Sequence, residues 1–248
     1  MARSIDLNAD IGEGFDDKAI LPFISSCNIA CGGHTGDRET VAATIKLALA
    51  EDVAIGAHPS YPDKEGFGRR SLDIEPKTLR ISLIEQLELI KSVAETLGAA
   101  VGHIKPHGAL YNDAVDSSEK ANALLVASSE VFPGAIVTGA PFGVLKEQAE
   151  TLGHPYRAEG FADRQYLDDG RLMPRSERGA VIANHDRQAA QAISLAEGRG
   201  ATGPSGNAVP LFVDTLCLHS DTEGAAEGAQ IIYEALTGRG ITIKVPQL

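Results

Sequence analysis

The sequence lacks the marks of an exported or membrane-bound protein. Its N-terminus has no long apolar run, so no signal peptide is expected, and no apolar segment approaches the length of a membrane span. Only three cysteines occur, Cys27, Cys31 and Cys217. An odd number of cysteines without an export signal indicates free thiols in a reducing cytoplasm, and the Cys27/Cys31 pair lacks the second half of a zinc site. We therefore predict a cytoplasmic protein whose three cysteines are small buried residues.

Positive charge is scarce as well. Lysine and arginine together number 22 against 34 aspartate and glutamate residues, which gives a formal net charge of -12. This charge opposes non-specific binding to nucleic acid and to anionic lipid, so neither is expected as a partner. The sequence also lacks a Walker A motif, a Gly-x-Ser-x-Gly elbow and a His-Glu-x-x-His motif. A local cluster of cations still allows an anionic small molecule to bind.

Apolar runs alternate with amphipathic stretches along the whole chain. Strands are predicted at residues 3–8, 27–31, 53–57, 101–105, 135–139 and 209–217, with 155–159 as a weaker candidate. The clearest helix runs from Pro76 to Leu97, and another is expected from Ser220, in a capping box, to Gly238. The alternation favours a parallel sheet covered by helices, and the length is close to the ~250 residues of a closed barrel. We expect an α/β fold, an irregular seven-stranded (β/α) barrel, with an open doubly wound sheet as the competitor.

No linker or low-complexity segment divides the chain, so one domain over residues 1–248 is expected. Residues 153–184 are the exception to the regular pattern. They are polar and rich in charge, with only a short apolar run at 179–182. We interpret this stretch as an excursion from the barrel that acts as a lid.

The central stretch 101–112 carries three titratable side chains. If its first residues form a strand, His103 and Lys105 point to the same face, and His107 follows them when the extended path continues. Pro106 cannot donate to a strand ladder, so the strand is predicted to end there and His107 to lie on a loop. The alternative is that both imidazoles are hydrogen-bonded structural groups and the lysine is merely solvated.

Most other unusual residues also follow directly after predicted strands. They are Asp10 and Glu13 after the first strand, His34 and Asp37 after the second, His58 after the third, and His219 and Asp221 after the last. In parallel α/β folds this carboxyl end is where sites are built. Simpler readings stay open for single members, such as a turn with solvated acids at Glu13 or a helix cap at Asp37.

Arginines beside glycines are candidate anion-binding groups. Arg69 and Arg70 end the stretch 56–70, and Arg164 follows the weaker strand candidate. A guanidinium group makes planar bidentate contacts to carboxylate or phosphate. The alternative for each of them is a solvated side chain on a loop.

Taken together, these motifs resemble the LamB/YcsF family. The similar stretches are DLNADIGEGF at 6–15, NIACGGHTGD at 28–37, GAHP at 56–59, GFGRR at 66–70, KPHGALYN at 105–112, FADR at 161–164 and CLHSDT at 217–222. The resemblance covers essentially the whole chain. It implies a barrel related to the glycoside hydrolase and deacetylase barrels, and a role as the A subunit of a bacterial 5-oxoprolinase. Such an enzyme opens 5-oxo-L-proline to L-glutamate while ATP is hydrolysed to ADP and phosphate, with partner subunits B and C.

That reaction suggests roles for the candidate residues. A lactam is a stabilised amide, so the site needs cations for phosphate, a base for water and an acid for the departing nitrogen. The charge is assigned to Lys105, with Arg69, Arg70 and Arg164. The base is Asp10 or His58, and the acid is His107. The remaining substrate- or phosphate-binding candidates are Asn8, Glu13, His34, Asp37, His219 and Asp221. Magnesium arriving with ATP would contact Asp10, Glu13 or Asp37.

Two rival functions stay open. The first is a divalent-metal hydrolase or deacetylase acting on a small amide or sugar, with Asp10, His58 and His107 as the metal ligands. The second is a non-catalytic subunit that binds the lactam while its partners perform the chemistry. A homo-oligomer is compatible with either one.

Overall fold

The chain folds around a closed barrel of parallel strands. A computed structural model describes residues 3–219 and 224–245. The barrel strands are β1 (Ser4–Ile11), β2 (Ser26–Ala30), β3 (Ala54–His58), β4 (Val101–Ile104), β5 (Ile136–Gly139), β6 (Tyr156–Phe161) and β9 (Thr215–His219). They pair in chain order, and β1 also pairs with β9, which closes the barrel. The predicted seven-stranded (β/α) barrel is therefore confirmed.

Helices cover the outside of the barrel. They are α1 (Asp17–Ile20), α2 (Arg38–Ala50), α3 (Pro76–Leu97), α4 (Gly108–Asp116), α5 (Ser118–Val131), α6 (Val144–Thr151), α7 (His185–Ala196) and α8 (Ala225–Gly238), and a short 3-10 turn spans Leu21–Phe23. Helix α3 has the predicted bounds: Leu79, Leu83 and Leu87 are buried on one face, and Gly98 ends it in the left-handed conformation at φ 68°. None of these helices is long and apolar enough to cross a membrane, within the residues that the structure describes.

The last predicted strand is partly wrong. Residues 209–217 do not form one element. A short antiparallel hairpin of β7 (Ala201–Thr202) and β8 (Ala208–Val209), with two residues in each strand, ends before Pro210. Proline has no N–H to continue a ladder, so the chain leaves the hairpin there and enters β9 five residues later. A short strand that was not predicted, β10 (Thr242–Ile243), pairs with the start of β1. The predicted helix start at Ser220 lies outside the described residues.

The interior of the barrel is polar, which is unusual for a closed sheet. Asp6, Asn8 and Asp10 alternate along β1 and point inward, while the apolar residues between them pack against the helices. Near the bottom, Arg157 Nη1 lies 3.2 Å from Asp6 Oδ2. Above it, Asn28 donates to the side-chain oxygens of Asn8 and Asp10 at 2.8 and 2.9 Å. These hydrogen bonds satisfy polar groups that would be costly to bury alone.

Candidate active site

A cavity of about 580 Å³ opens at the carboxyl ends of the barrel strands. That size is typical of a small-molecule pocket. Its lining includes the acids Asp10, Glu13 and Glu159, the cation Lys105, the imidazoles His58, His107 and His219, and the arginines Arg69, Arg164, Arg171 and Arg175. Of these lining residues, Asp10, Glu13, His58, Arg69, Lys105, His107, Arg164 and His219 were predicted site residues, and the structure brings them to one end of the barrel.

Lys105 is the central cation of the cavity floor. Its Nζ lies 2.9 Å from Asp10 Oδ1, 2.9 Å from Glu159 Oε1 and 3.0 Å from Cys217 Sγ, and the side chain is 2% exposed. Burial alone would lower the pKa of Lys105, but Asp10, Cys217 and Glu159 raise it well above the ordinary value. Burial likewise raises the pKa of Asp10, yet His58 and Lys105 lower it well below the usual range. The floor therefore holds a fixed ammonium–carboxylate pair.

His58 and His107 face each other across the floor. His58 Nδ1 donates to the backbone carbonyl of Lys105 at 2.8 Å, and His107 Nε2 donates to the carbonyl of Phe67 at 2.9 Å. The carbonyls can only accept, so these two nitrogens carry the hydrogens. The other nitrogens, His58 Nε2 and His107 Nδ1, are 2.9 Å apart and both bear a lone pair when the rings are neutral.

Two carboxylates lie next to these facing ring nitrogens. Asp10 Oδ2 is 3.3 Å from His58 Nε2, and Glu13 Oε1 is 3.3 Å from His107 Nδ1. His34 Nε2 contacts Glu13 Oε1 at 2.9 Å, and its ring stacks on His107 with centroids 3.7 Å apart. Burial lowers the pKa of His34 and, with the other imidazoles, lowers the pKa of His107 well below its usual value. Four electron-pair donors thus converge in a buried space, which a proton or a metal cation would stabilise.

The donor set decides which metal would fit there. Asp10, His58 and His107 offer ligand atoms that lie within 4.8 Å of one another, and a second group of Glu13, His34 and His107 does the same. Two imidazoles with a carboxylate are typical ligands for Zn²⁺ and similar borderline ions. Mg²⁺ prefers oxygen ligands and keeps several waters, so this set does not fit it.

A second imidazole system lies beside that cluster, because His219 is the strand partner of Asp10 and offers a ligand atom within 4.8 Å of those of Asp10 and Cys217. Asp163 accepts from His219 Nδ1, with its two oxygens 3.0 and 2.9 Å away, and also from the His219 backbone N–H at 3.0 Å. Burial alone would raise the pKa of Asp163, but His219 lowers it below the ordinary value. The pairing fixes the ring orientation and leaves Nε2 of a cavity-lining imidazole for other contacts. This geometry suits a general base.

Sequence reasoning missed Glu159, and it noted the acid of the FADR stretch, Asp163, without predicting it as a site residue. Asp163 stands two residues beyond β6 and could have been found by the same strand-end rule that selected His58. Glu159 lies inside β6, where Arg157 and Glu159 alternate with small residues. That alternation was the available signal, but the strand had been predicted only weakly.

The loop 162–184 covers one side of the cavity. The first part of the predicted excursion 153–184 belongs to barrel strand β6, so the loop itself starts later. Arg164 donates to the carbonyls of Ala180 and Met173, at 3.2 and 2.6 Å, and burial lowers its pKa to about 10. Arg171 makes a two-pronged contact with Asp116 at the end of α4. Hydrogen bonds within the loop and an ion pair with α4 thus hold the loop in place over the barrel.

Two of the predicted site residues that the structure describes, Asp37 and Arg70, lie away from the cavity. Asp37 caps α2 by accepting from Thr40 N at 2.9 Å, which is the alternative that its position had left open. Arg70 pairs with Asp63 on the loop after β3 and does not line the cavity, whereas Arg69 does. Asp221 lies outside the described residues. Asn8 sits below the cavity and reaches the site through Glu159.

Comparison with known proteins gives consistent matches over the full chain. The sequence model of the LamB/YcsF family matches residues 5–247. The A subunit of 5-oxoprolinase from Methylococcus capsulatus is 39% identical over 249 residues, which cover 98% of this chain and 96% of that protein. Its counterpart in Carboxydothermus hydrogenoformans is 44% identical over 252 residues, which cover 98% and 97%. Among solved structures, the lactam utilization protein from Thermus thermophilus has a TM-score of 0.92 at 34% identity, over 98% of this chain and 100% of that one.

Proposed function

The chain belongs to the LamB/YcsF family, and from this membership and the geometry of the cavity we propose that it is the A subunit of an ATP-dependent 5-oxoprolinase. The reaction is the opening of 5-oxo-L-proline to L-glutamate. The observation that carries the proposal is the buried Lys105–Asp10 pair at the floor of a cavity, next to an imidazole held by a carboxylate, in a chain that matches curated A subunits over nearly their whole length. These are the groups that amide hydrolysis needs.

Within the cavity, the contacts favour a particular division of labour. His219, held by Asp163, takes a proton from the attacking water, because its Nδ1 is fixed and its Nε2 is the nitrogen left for that proton. Lys105 stabilises negative charge as it develops on the lactam oxygen. Both ring nitrogens of His107 already have partners, so the acid role first considered for His107 suits it less well.

The cavity floor does not fit a triphosphate. It holds three carboxyl groups, Asp10, Glu13 and Glu159, against the single ammonium of Lys105. We therefore place the lactam at the floor and assign the binding of ATP and its Mg²⁺ to the assembly as a whole. The arginines that line the cavity, Arg69 among them, are the groups of this chain nearest in chemistry to a phosphate site.

The remaining features follow from the same assignment. The chain acts as one domain, and loop 162–184 is the lid that excludes water from the lactam. Partner subunits B and C complete the enzyme, as the letter A in the names of the relatives suggests. Three buried, unpaired cysteines support a reducing compartment, the cytoplasm.

The test is glutamate release from 5-oxoproline. The purified chain is assayed alone and with its B and C partners, each with and without ATP. We expect glutamate only in the complete mixture with ATP. Partners that bind but yield no glutamate under any condition would contradict the proposal. Lactam bound by the chain, with glutamate formed equally well by the Lys105→Met assembly, would instead make this a non-catalytic binding subunit.

A divalent-metal hydrolase is the second candidate. It is favoured by the four electron-pair donors that converge around His58 and His107. If a Zn²⁺-like ion is bound there, Asp10, His58 and His107 hold it, and the ion would act as a Lewis acid on a bound amide. Metal content of protein purified without added metal tests this, with His58→Asn as the matched variant. Less than stoichiometric metal, and no uptake of added Zn²⁺, would exclude this function.

A further inference from the structure

Glu159 is a buried carboxyl group with one satisfied and one unsatisfied oxygen. Its Oε1 accepts from Lys105 Nζ at 2.9 Å and from Asn8 Nδ2 at 3.0 Å. Its Oε2 has no hydrogen-bond partner among the residues that the structure describes, although the residue is only 1% exposed. The side chain belongs to the cavity lining. A buried polar atom without a partner calls for an explanation, and a catalytic role is one of those known for such atoms.

The charges around Glu159 indicate what Oε2 carries. Lys105 stands between two carboxyls, Asp10 and Glu159, so one ammonium faces two acids. Asp10 is the better supported anion, because Asn28 donates to it and His58 lies beside it. Burial raises the pKa of Glu159 above its usual value, although Lys105 opposes the shift. Since two donors already occupy Oε1, the proton of the neutral acid belongs on Oε2.

We propose that Glu159 is a catalytic acid that donates its Oε2 proton to the ring nitrogen of the lactam as the carbon–nitrogen bond breaks. This proposal rests on the function proposed above. In the step, a lone pair on an oxygen of the tetrahedral carbon re-forms the carbonyl bond, and the electron pair of the broken bond stays on nitrogen. Nitrogen forms a bond to the Oε2 proton, and Glu159 is left as a carboxylate beside Lys105. Water entering after product release returns the proton.

A purely structural role for Glu159 makes different predictions. In that case the residue only holds Lys105 and Asn8 in place through Oε1, and an amide would serve equally well. Glu159→Gln keeps the size, the Oε1 acceptor and a hydrogen-bond donor at the other end, but it cannot release a proton. The variant therefore separates a proton donor from a positioning group.

The test measures glutamate formation by the complete assembly with Glu159→Gln in this chain. Glu130→Gln is the matched control, because Glu130 is an exposed residue of α5. We expect kcat to fall about 10²- to 10⁴-fold, with KM changed little. In the wild type, kcat should fall at alkaline pH as the catalytic acid loses its proton, and this fall should be absent in Glu159→Gln. Activity of Glu159→Gln within about threefold of the control would overturn the proposal.

A second measurement does not depend on turnover. The chain is labelled with ¹³C at the glutamate side-chain carboxyl carbons, and the carboxyl signals are followed through a pH titration. We expect one signal to titrate at a higher pH than the other glutamates and to be missing in Glu159→Gln. Absence of such a signal would overturn the proposal. If the wild-type assembly releases no glutamate, the function proposed above fails, and this titration still decides whether Glu159 holds a proton.

Discussion

Replacing Lys105 by methionine should destabilise the protein strongly, because two buried carboxyls lose their shared cation. Methionine keeps an unbranched chain of similar length, so the change removes charge more than volume. Lys105 has two 2.9 Å contacts to carboxyl oxygens and is 2% exposed, so solvent screens the contacts little. Breaking a buried ion pair from one side costs about 3–5 kcal/mol. We expect the free energy of unfolding to fall by about that amount near neutral pH.

The loss should depend on pH in a definite direction. In the wild type, burial raises the pKa of Asp10, but the combined effect of His58 and Lys105 lowers it by more than burial raises it. The net pKa is therefore depressed. Asp10 therefore contributes stability above its unfolded pKa, and this is lost as the pH falls through the lower folded value. Without Lys105, burial favours the neutral forms of Asp10 and Glu159, and a protonated carboxyl needs no cation. The deficit of the variant should thus shrink from about pH 8 to about pH 5.

Urea unfolding followed by circular dichroism at several pH values measures both effects. Lys77→Met is the matched control, because Lys77 is exposed on α3 and should change stability by less than about 0.5 kcal/mol. Adding Asp10→Asn to Lys105→Met should recover part of the loss, because it removes the anion that loses its cation, and a double-mutant cycle quantifies the recovery. A deficit under about 1 kcal/mol, or one that grows as the pH falls, would refute the charge assignment at the floor.

Two further predictions test other parts of the barrel. Asp163→Asn should lower kcat of the assembly by up to about 10⁴-fold, the effect of the same change on the aspartate of a serine protease triad. The amide would let His219 adopt the wrong tautomer; an unchanged kcat in a folded variant would argue against that base. Gly56→Ala should cost about 1–3 kcal/mol, measured by urea unfolding, because its Cβ would clash with the ring of His103. Gly102→Ala is the control, since a Cβ there meets no atom within 4 Å, and equal losses for both would contradict the packing described.

The barrel could be predicted from the sequence because its strands and its helices each follow a simple hydrophobic pattern. Alternation of Asp6, Asn8 and Asp10 with apolar residues gave the two faces of β1, and the amphipathic period of α3 gave its bounds. The prediction failed at 209–217, a mostly apolar stretch that contains a change of element. The break depends on the missing N–H of Pro210 and on pairing with distant strands, which local hydrophobicity does not encode.

The site was predictable as a location but not as a set of contacts. Strand ends identified Asp10, His58, Lys105 and His107, because parallel strands bring their carboxyl ends together. Partner choice depends on side-chain directions across the barrel, which sequence spacing does not give. For the same reason, the predicted roles could not anticipate that Glu159, from a weakly predicted strand, would share the ammonium of Lys105.

Closure of the barrel has a consequence for folding of the growing chain. Thr215 of β9 donates a hydrogen bond to Asp6 of β1, 209 residues earlier in the chain. In the barrel β1 lies between β2 and β9, so its pairing with β9 cannot form until β9 has been synthesised. At about 5–20 residues per second, that delay is roughly 10 to 40 s. The inward face of β1 is polar, and water can solvate its side chains during the wait. An incomplete barrel of this protein should therefore expose less apolar, aggregation-prone surface than one lined with leucine and valine.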